Sequence, residues 1–171
     1  MALSFESSRL KMFEISGDIS LPERATLFER IPEILTPPVV ENLPPYFHGI
    51  DSQDDAQVWF ERMLSESRLF LVKSAEGTLI GFLFAFVENG RDAHIGYLLA
   101  EEYWGKGLAS ELLKVFIEAV SKTESWAKLI GGVDQTNIAS ANLLKKLGFV
   151  KQLGGNSSVA FYEFTIPQPQ S

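Results

Sequence analysis

The chain has 171 residues, 46% of them hydrophobic and 22% charged, with a net charge of −7 and no cysteine. That composition suits a globular protein with a sizeable core, and it excludes disulfides, thiolate metal sites and a cysteine nucleophile. The acidic balance argues against broad nucleic-acid binding, which needs clustered Lys and Arg, and no apolar run approaches the roughly 18 residues of a membrane span.

The opening MALSFESSRL lacks the basic and apolar regions of a secretory signal, so a cytoplasmic location is expected. Charge is unevenly shared: residues 1–70 hold 12 acids and 6 bases, against 10 and 9 in residues 71–171. If the first part walls a substrate cleft it would draw a cationic partner; plain surface solubility accounts for the same excess.

In chain order, Arg9–Ile15 roughly alternates and reads as a first strand. Leu21–Ile31 carries apolar residues at Leu21, Ala25, Phe28 and Ile31, a helix spacing that Pro32 should end. Residues 32–50 contain five prolines along with Tyr46, Phe47 and His48, which predicts a long irregular segment. Ser52-Gln-Asp-Asp55 resembles a capping box for a helix whose apolar face is Ala56, Trp59, Phe60, Met63 and Leu64. Leu69–Lys73 and Leu79–Val87 read as strands around the turn Ser74–Gly77. A second turn, Glu88–Asp92, leads into the strand His94–Ala100.

Then comes EEYWGKGLASELL, residues 101–113, which places glycines on both sides of Lys106 where a strand gives way to a helix. That helix has apolar residues at 108, 112, 116 and 120, flanked by 109, 113 and 117, a stripe suited to packing on a sheet. Lys128–Val133 is a further strand, Ile138–Leu147 a short helix ended by Gly148, and Phe149–Leu153 and Val159–Ile166 a closing pair of strands. The pattern predicts one domain, a mixed sheet flanked by helices.

The first N–H groups of a helix lack intrahelical partners and sit at the positive end of its dipole. An anion satisfies both needs where no side chain obstructs it, and Gly105 and Gly107 remove two side chains and permit unusual backbone angles. The amides from Gly105 to Ser110 therefore have the makings of a phosphate seat, with Lys106 adding charge. A tight strand-to-helix turn explains the same glycines. A Walker loop and a Rossmann fingerprint both fit less well, the latter because Ser110 stands where its third glycine belongs. Farther on, Asn137-Ile-Ala-Ser-Ala-Asn-Leu-Leu-Lys-Lys-Leu-Gly-Phe149 has Asn137 as a helix N-cap and Gly148 as a left-handed C-cap followed by an apolar residue.

GYLLAEEYWGKGLASELL followed by NIASANLLKKLGF resembles the GNAT superfamily of N-acetyltransferases, in the branch that acetylates ribosomal-protein N-termini and polyamines. Arg9-Leu-Lys-Met12 is similar to that branch's opening strand, so the resemblance spans nearly the whole chain. It implies a single α/β domain over residues 1–171, with a mixed, mostly antiparallel twisted sheet of six or seven strands flanked by about four helices. Residues 1–70 would form the substrate side, 71–166 the acetyl-CoA-binding part and 167–171 a tail. The sequence departs from the superfamily pattern at Glu102, where Gln or Arg is usual, and at Leu144, which aligns with a tyrosine that protonates the leaving thiolate.

The implied reaction is direct attack of a primary amine on the thioester of acetyl-CoA, the co-substrate, with no metal. The resemblance puts the pyrophosphate on Gly105, Lys106, Gly107, Leu108, Ala109 and Ser110, and the pantetheine arm along Leu98, Leu99 and Ala100, with Asn137 bonding it from the other side. An N–H in that strand would polarise the thioester carbonyl. A lysine-like amine is neutral to only about one part in 10³ at pH 7, an α-amine to ~10%, so the former needs a base or desolvation. His94, where many relatives carry Glu, is the first candidate; it also reads as a strand-edge histidine. Glu88, Glu101, Glu102 and Asp134 lie near the implied cleft, and Tyr46 and His48 either line the entrance or pack. Ser140 is the candidate acid in place of the missing tyrosine, or a first-turn residue bonding backbone. Partners implied are acetyl-CoA and an amine acceptor, cationic on the charge argument, with a homodimer, common in this superfamily, allowed. A non-catalytic acetyl-CoA sensor or docking module on the same fold is the alternative, motivated by Glu102 and Leu144.

Overall fold

A computed structural model describes residues 3–15, 21–153 and 158–167. Eight strands hydrogen-bond in the order β1-β2-β3-β4-β5-β6-β8-β7. They are β1 (Ser4–Glu6), β2 (Leu10–Glu14), β3 (Arg68–Ser74), β4 (Leu79–Glu88), β5 (Asp92–Leu99), β6 (Lys128–Asp134), β7 (Val150–Lys151) and β8 (Val159–Thr165). β5 pairs with β6 in parallel, whereas β1–β2, β2–β3, β6–β8 and β7–β8 pair antiparallel. The helices are α1 (Leu21–Ile34), α2 (Pro37–Val40), α3 (Gln53–Glu66), α4 (Leu108–Thr123) and α5 (Ile138–Lys146), with single 3-10 turns at Pro45–Phe47 and Glu101–Tyr103. This is the mixed, mostly antiparallel architecture expected, with one strand and one short helix more. β1 is too short to show a period; the Ser7 N–H to Leu10 carbonyl bond closes its turn into β2.

The chain divides into two compact units, Met1–Phe84 with Tyr97–Ala109, and Ala85–Gly96 with Ser110–Ser171. In the first, α1 and α3 bury Leu27, Phe28, Ile31, Ile34, Leu35, Ala56, Trp59, Phe60 and Met63 together with Phe82, Leu98 and Ala100. The α1 expectation needs two corrections. Ala25 is exposed, and Pro32 does not end the helix, which runs to Ile34. An interior proline costs about 3 kcal/mol, but the extra turn buries Ile34 and Leu35, worth roughly 1.5–3 kcal/mol each. Burial wins, and the Leu35 N–H reaches Ile31 in the regular way at 2.9 Å. Residues 32–50 are accordingly less irregular than expected: α2 and the 3-10 turn bury Val40 and Phe47. Ser52 caps α3 by accepting the Asp55 N–H at 3.1 Å. Asp55 reaches one residue farther back than a capping box does, to the Asp51 N–H at 3.3 Å.

In the second unit the α4 stripe is buried at Leu112, Leu113, Phe116 and Val120, and α5 ends as expected. Gly148 has φ +102°; its N–H reaches Lys145 at 3.0 Å, and the Phe149 N–H reaches Leu144 at 2.9 Å. That bond pair is a Schellman cap, and Leu144 and Phe149 are both buried beside it. Among the described residues no helix is long and apolar enough to cross a membrane, and no cluster of three or more His, Asp or Glu is placed to hold a metal ion.

Candidate active site

The glycines around Lys106 are both in the left-handed region, Gly105 at φ +73° and Gly107 at φ +76°. An L side chain disfavours that region by about 1–2 kcal/mol, so the turn into α4 demands glycine for its backbone. Space is not the constraint: a Cβ on Gly105 would meet nothing within 4 Å, and one on Gly107 only the Arg9 guanidinium at 3.7 Å. The turn and the open approach to the first amides of α4 thus come from the same two residues. Leu108 is buried and Ala109 half-buried, and the Lys106 ammonium lies 5.4 Å from the centre of the Tyr103 ring.

Three contacts brace this loop within the first unit. Arg9 donates from Nη1 to the Lys106 carbonyl at 2.9 Å, and the Trp104 indole donates to the Leu99 carbonyl at 2.9 Å. Arg30, one-fifth exposed, pairs with Glu102 at 2.9 Å and donates to the Leu79 carbonyl at 3.0 Å. Glu101 accepts a longer bond from the Thr36 hydroxyl at 3.4 Å. None of these pairings was foreseen in the sequence, because the partners lie from 5 to 97 positions apart and no local pattern announces them.

Leu98, Leu99 and Ala100 have buried side chains, so a ligand along this strand would meet backbone. The Ala100 N–H is committed to the Ile80 carbonyl at 2.7 Å, which narrows the group expected to face a thioester to Leu98 or Leu99. Gly81 was also missed. A Cβ there would lie 2.2 Å from the Leu98 carbonyl oxygen, so only glycine lets β4 approach β5 at this point.

The second unit holds Ser110, His94, Asn137 and Ser140. Asn137 accepts the Ser140 N–H on Oδ1 at 3.2 Å, the N-cap role expected of it. His94 Nε2 lies 3.1 Å from Glu88 Oε2, and its ring centre is 6.1 Å from that of Phe86. Among the described residues no hydrogen bond joins His94 to Asn137 or Ser140. The Asp134 carboxyl is held low by the Thr136 hydroxyl and then by its N–H, which makes it a poor base. Leu144 is buried, and a Cβ on Gly131 would come within 2.9 Å of its Cδ1. Back in the first unit, Tyr46 stacks under the Arg62 guanidinium at 3.7 Å. Burial, then Glu66, raises its hydroxyl's pKa against the pull of Arg62. His48 Nε2 is 3.0 Å from the Leu43 carbonyl. Tyr46 is thus held against α3, and His48, which is exposed, is held to its own segment.

Residues 24–150 match the acetyltransferase (GNAT) domain. The chain belongs to that family and is by class an acetyl-CoA-dependent acetyltransferase. Among relatives, the uncharacterized N-acetyltransferase p20 of Bacillus licheniformis is 38% identical over 72 residues, which span 42% of this chain and 40% of that protein. The fold is similar to that of RimL, a ribosomal L7/L12 alpha-N-protein acetyltransferase solved with coenzyme A (TM-score 0.75, 15% identity, 94% of this chain and 96% of that one). It is also similar to the spermidine N-acetyltransferase of Vibrio cholerae solved with CoA and spermine (TM-score 0.70, 17% identity, 94% and 97%).

Proposed function

We propose that this chain transfers an acetyl group from acetyl-CoA to a primary amine by direct attack, the acceptor being a protein N-terminus, a polyamine or another small amine. The observation that carries the reading is the pair of left-handed glycines opening α4 in a chain of this family. The amides of Gly105 through Ser110 bind the pyrophosphate, Lys106 adds positive charge, and the backbone of Leu98–Ala100 lies along the pantetheine, with Leu98 or Leu99 donating to the thioester carbonyl. Asn137 bonds the pantetheine with the part of its amide that does not cap α5. His94, oriented by Glu88, accepts the proton of an acceptor that arrives as ammonium. Ser140, whose hydroxyl makes no hydrogen bond among the described residues, passes its proton to the departing thiolate as it takes one up from water. On this reading the chain works as one domain, its acidic first part facing the acceptor.

The acceptors of the structurally similar enzymes, a protein α-amine and spermidine, bracket the choice. An α-amine is already ~10% neutral at pH 7, whereas a polyamine is not. Dependence of turnover on His94 therefore reports which kind this chain takes. The first test is a thermal-shift titration with acetyl-CoA, with ATP as control. At about 100 times Kd, binding adds ~2.7 kcal/mol, a rise of roughly 5–10 °C for a chain of this length. A rise with acetyl-CoA alone, followed by CoA release with some member of an amine panel, supports the reading. No rise at millimolar acetyl-CoA makes the glycines a turn and nothing more. Binding without turnover across a broad panel favours the sensor or docking module.

A further inference from the structure

The contact between Arg9 and the Lys106 carbonyl joins residues 97 positions apart, and its placement between two glycines gives it a consequence for the anion seat. We infer that Arg9 is a positioning residue for the pyrophosphate loop, acting through the peptide plane between Lys106 and Gly107; the inference rests on the acetyl-CoA reading above.

No peptide bond in the described chain is cis, and a trans peptide points its N–H opposite to its C=O. Fixing the Lys106 carbonyl on Arg9 therefore fixes the Gly107 N–H away from Arg9. Gly107 lacks the Cβ that normally restricts the φ on its side of this plane, so the loop leaves the plane free to rotate there. With it rotated, a carbonyl oxygen would meet the anion where an amide should. Arg9 supplies the missing restraint. Its own position is set by the turn at residues 7–10, where the Ser7 N–H donates to Leu10 at 2.9 Å and the Ser7 hydroxyl accepts the Leu10 N–H at 3.2 Å. The guanidinium adds a second gain. Its Nη2 would be 3.7 Å from a Cβ on Gly107, so a fixed positive charge stands beside the loop. The ion pair of Arg30 with Glu102 and the bond from Trp104 to Leu99 hold residues before the glycines, and Arg9 holds the plane after Lys106.

The test is a double-mutant cycle on acetyl-CoA affinity, read by isothermal titration. Arg9→Gln should weaken binding about ten- to a hundredfold, the loss expected when a charge-assisted hydrogen bond goes, with a melting temperature close to native. Arg9→Lys, which keeps a charge and one donor, should fall between. Gly107→Ala should weaken binding through the same peptide, and the double variant should be no worse than the poorer single one, because both act on one amide. A double variant whose loss is the product of the two single losses would overturn the inference, as would an Arg9→Gln protein that binds within twofold of native. Should Gly107→Ala fail to fold, the two Arg9 variants decide alone. A native chain that binds no acetyl-CoA overturns the functional reading and this inference together; native binding that Arg9 variants leave untouched overturns only the inference.

Discussion

Replacing Gly81 by alanine should cost more stability than the same change at Gly131 or Gly132, although all three glycines lie in strands. A Cβ on Gly81 would sit 2.2 Å from the Leu98 carbonyl oxygen, 2.8 Å from Leu99 Cδ2 and 3.1 Å from Leu99 Cα. Carbon and carbonyl oxygen ordinarily meet at about 3.3 Å or more, so β4 and β5 would have to part by roughly 1 Å. The obstacle is backbone, and the Ala100 bond to Ile80 at 2.7 Å lies beside it. Overpacking typically costs about 1–3 kcal/mol, and a backbone obstacle puts this case at or above the upper end. On Gly131 the neighbour is Leu144 Cδ1 at 2.9 Å, the mobile end of a side chain; on Gly132 it is Phe161 Cε1 at 3.4 Å, nearly an ordinary contact. Gly131→Ala should therefore cost about 1 kcal/mol, and Gly132→Ala should be neutral or stabilising by up to ~1 kcal/mol, since alanine loses less entropy in a strand. At about 2–4 °C per kcal/mol, calorimetry should find Gly81→Ala melting roughly 6–12 °C below native and Gly132→Ala within about 3 °C of it. Three equal melting temperatures would refute the argument that close approach is what requires glycine at 81.

Three further outcomes follow from the geometry. Gly105→Ala should lose about 1–2 kcal/mol from its left-handed φ alone, and Gly105→Asn less, because Asn enters that region more readily; equal melting temperatures for the two would mean that φ is not the constraint. On the proposed reading, His94→Ala should lower kcat/KM for a polyamine or lysine-like acceptor by about 10²–10⁴-fold while leaving acetyl-CoA affinity unchanged. Glu88→Gln should give a smaller loss in the same direction, and unchanged turnover would remove both from the chemistry. Burial pushes the Glu14 carboxyl up, but Arg68 at 2.6 and 2.8 Å and the Leu3 N–H outweigh it, so its folded-state pKa is lowered. The unfolded chain then binds the proton more readily, and Glu14's contribution is present above the unfolded carboxylate pKa and lost as pH falls through the folded one. Glu14→Gln should cost about 1.5–3 kcal/mol at pH 7 and converge with native at low pH; urea midpoints that stay apart below pH 3 would contradict that account.

What was legible in the sequence was whatever a local period or cap encodes. The α4 stripe, the Ser52 and Asn137 caps and the Gly148 end were all readable, because each depends on residues within a turn or two of one another. Pro32 misled because the local rule against proline yields to burial of Ile34 and Leu35, which no local rule includes. The loop itself was found from Gly105 and Gly107, whereas its braces were not. Arg9, Arg30 and the glycine that lets β4 approach β5 work across the sheet, and sequence shows them as part of an opening-strand resemblance with no contact implied, an ordinary basic residue, and a strand glycine without motif.

The two departures from the family pattern have physical accounts in the fold, and neither requires that chemistry was given up. Glu102 replaces a Gln or Arg but meets Arg30 at 2.9 Å, on an arginine that also holds the Leu79 carbonyl. A carboxylate at this point ties the loop to α1 by an ion pair between residues 20% and 63% exposed, worth at most about 1 kcal/mol in stability. Its value is placement. Leu144 is a different case. It is packed so closely over Gly131 that even a methyl there would crowd it, and α5 has spent that position on the second unit's core. On the proposed reading a proton donor then comes from elsewhere on α5 or from water. Ser140 is one turn earlier on the same helix, with its N–H held by Asn137 and its hydroxyl left for other work. Ser140→Ala should then lower kcat with little change in acetyl-CoA affinity, and Leu144→Tyr should lower the melting temperature without restoring what Ser140→Ala removes. A Leu144→Tyr, Ser140→Ala double variant with native kcat would show instead that the packed position still reaches the thiolate.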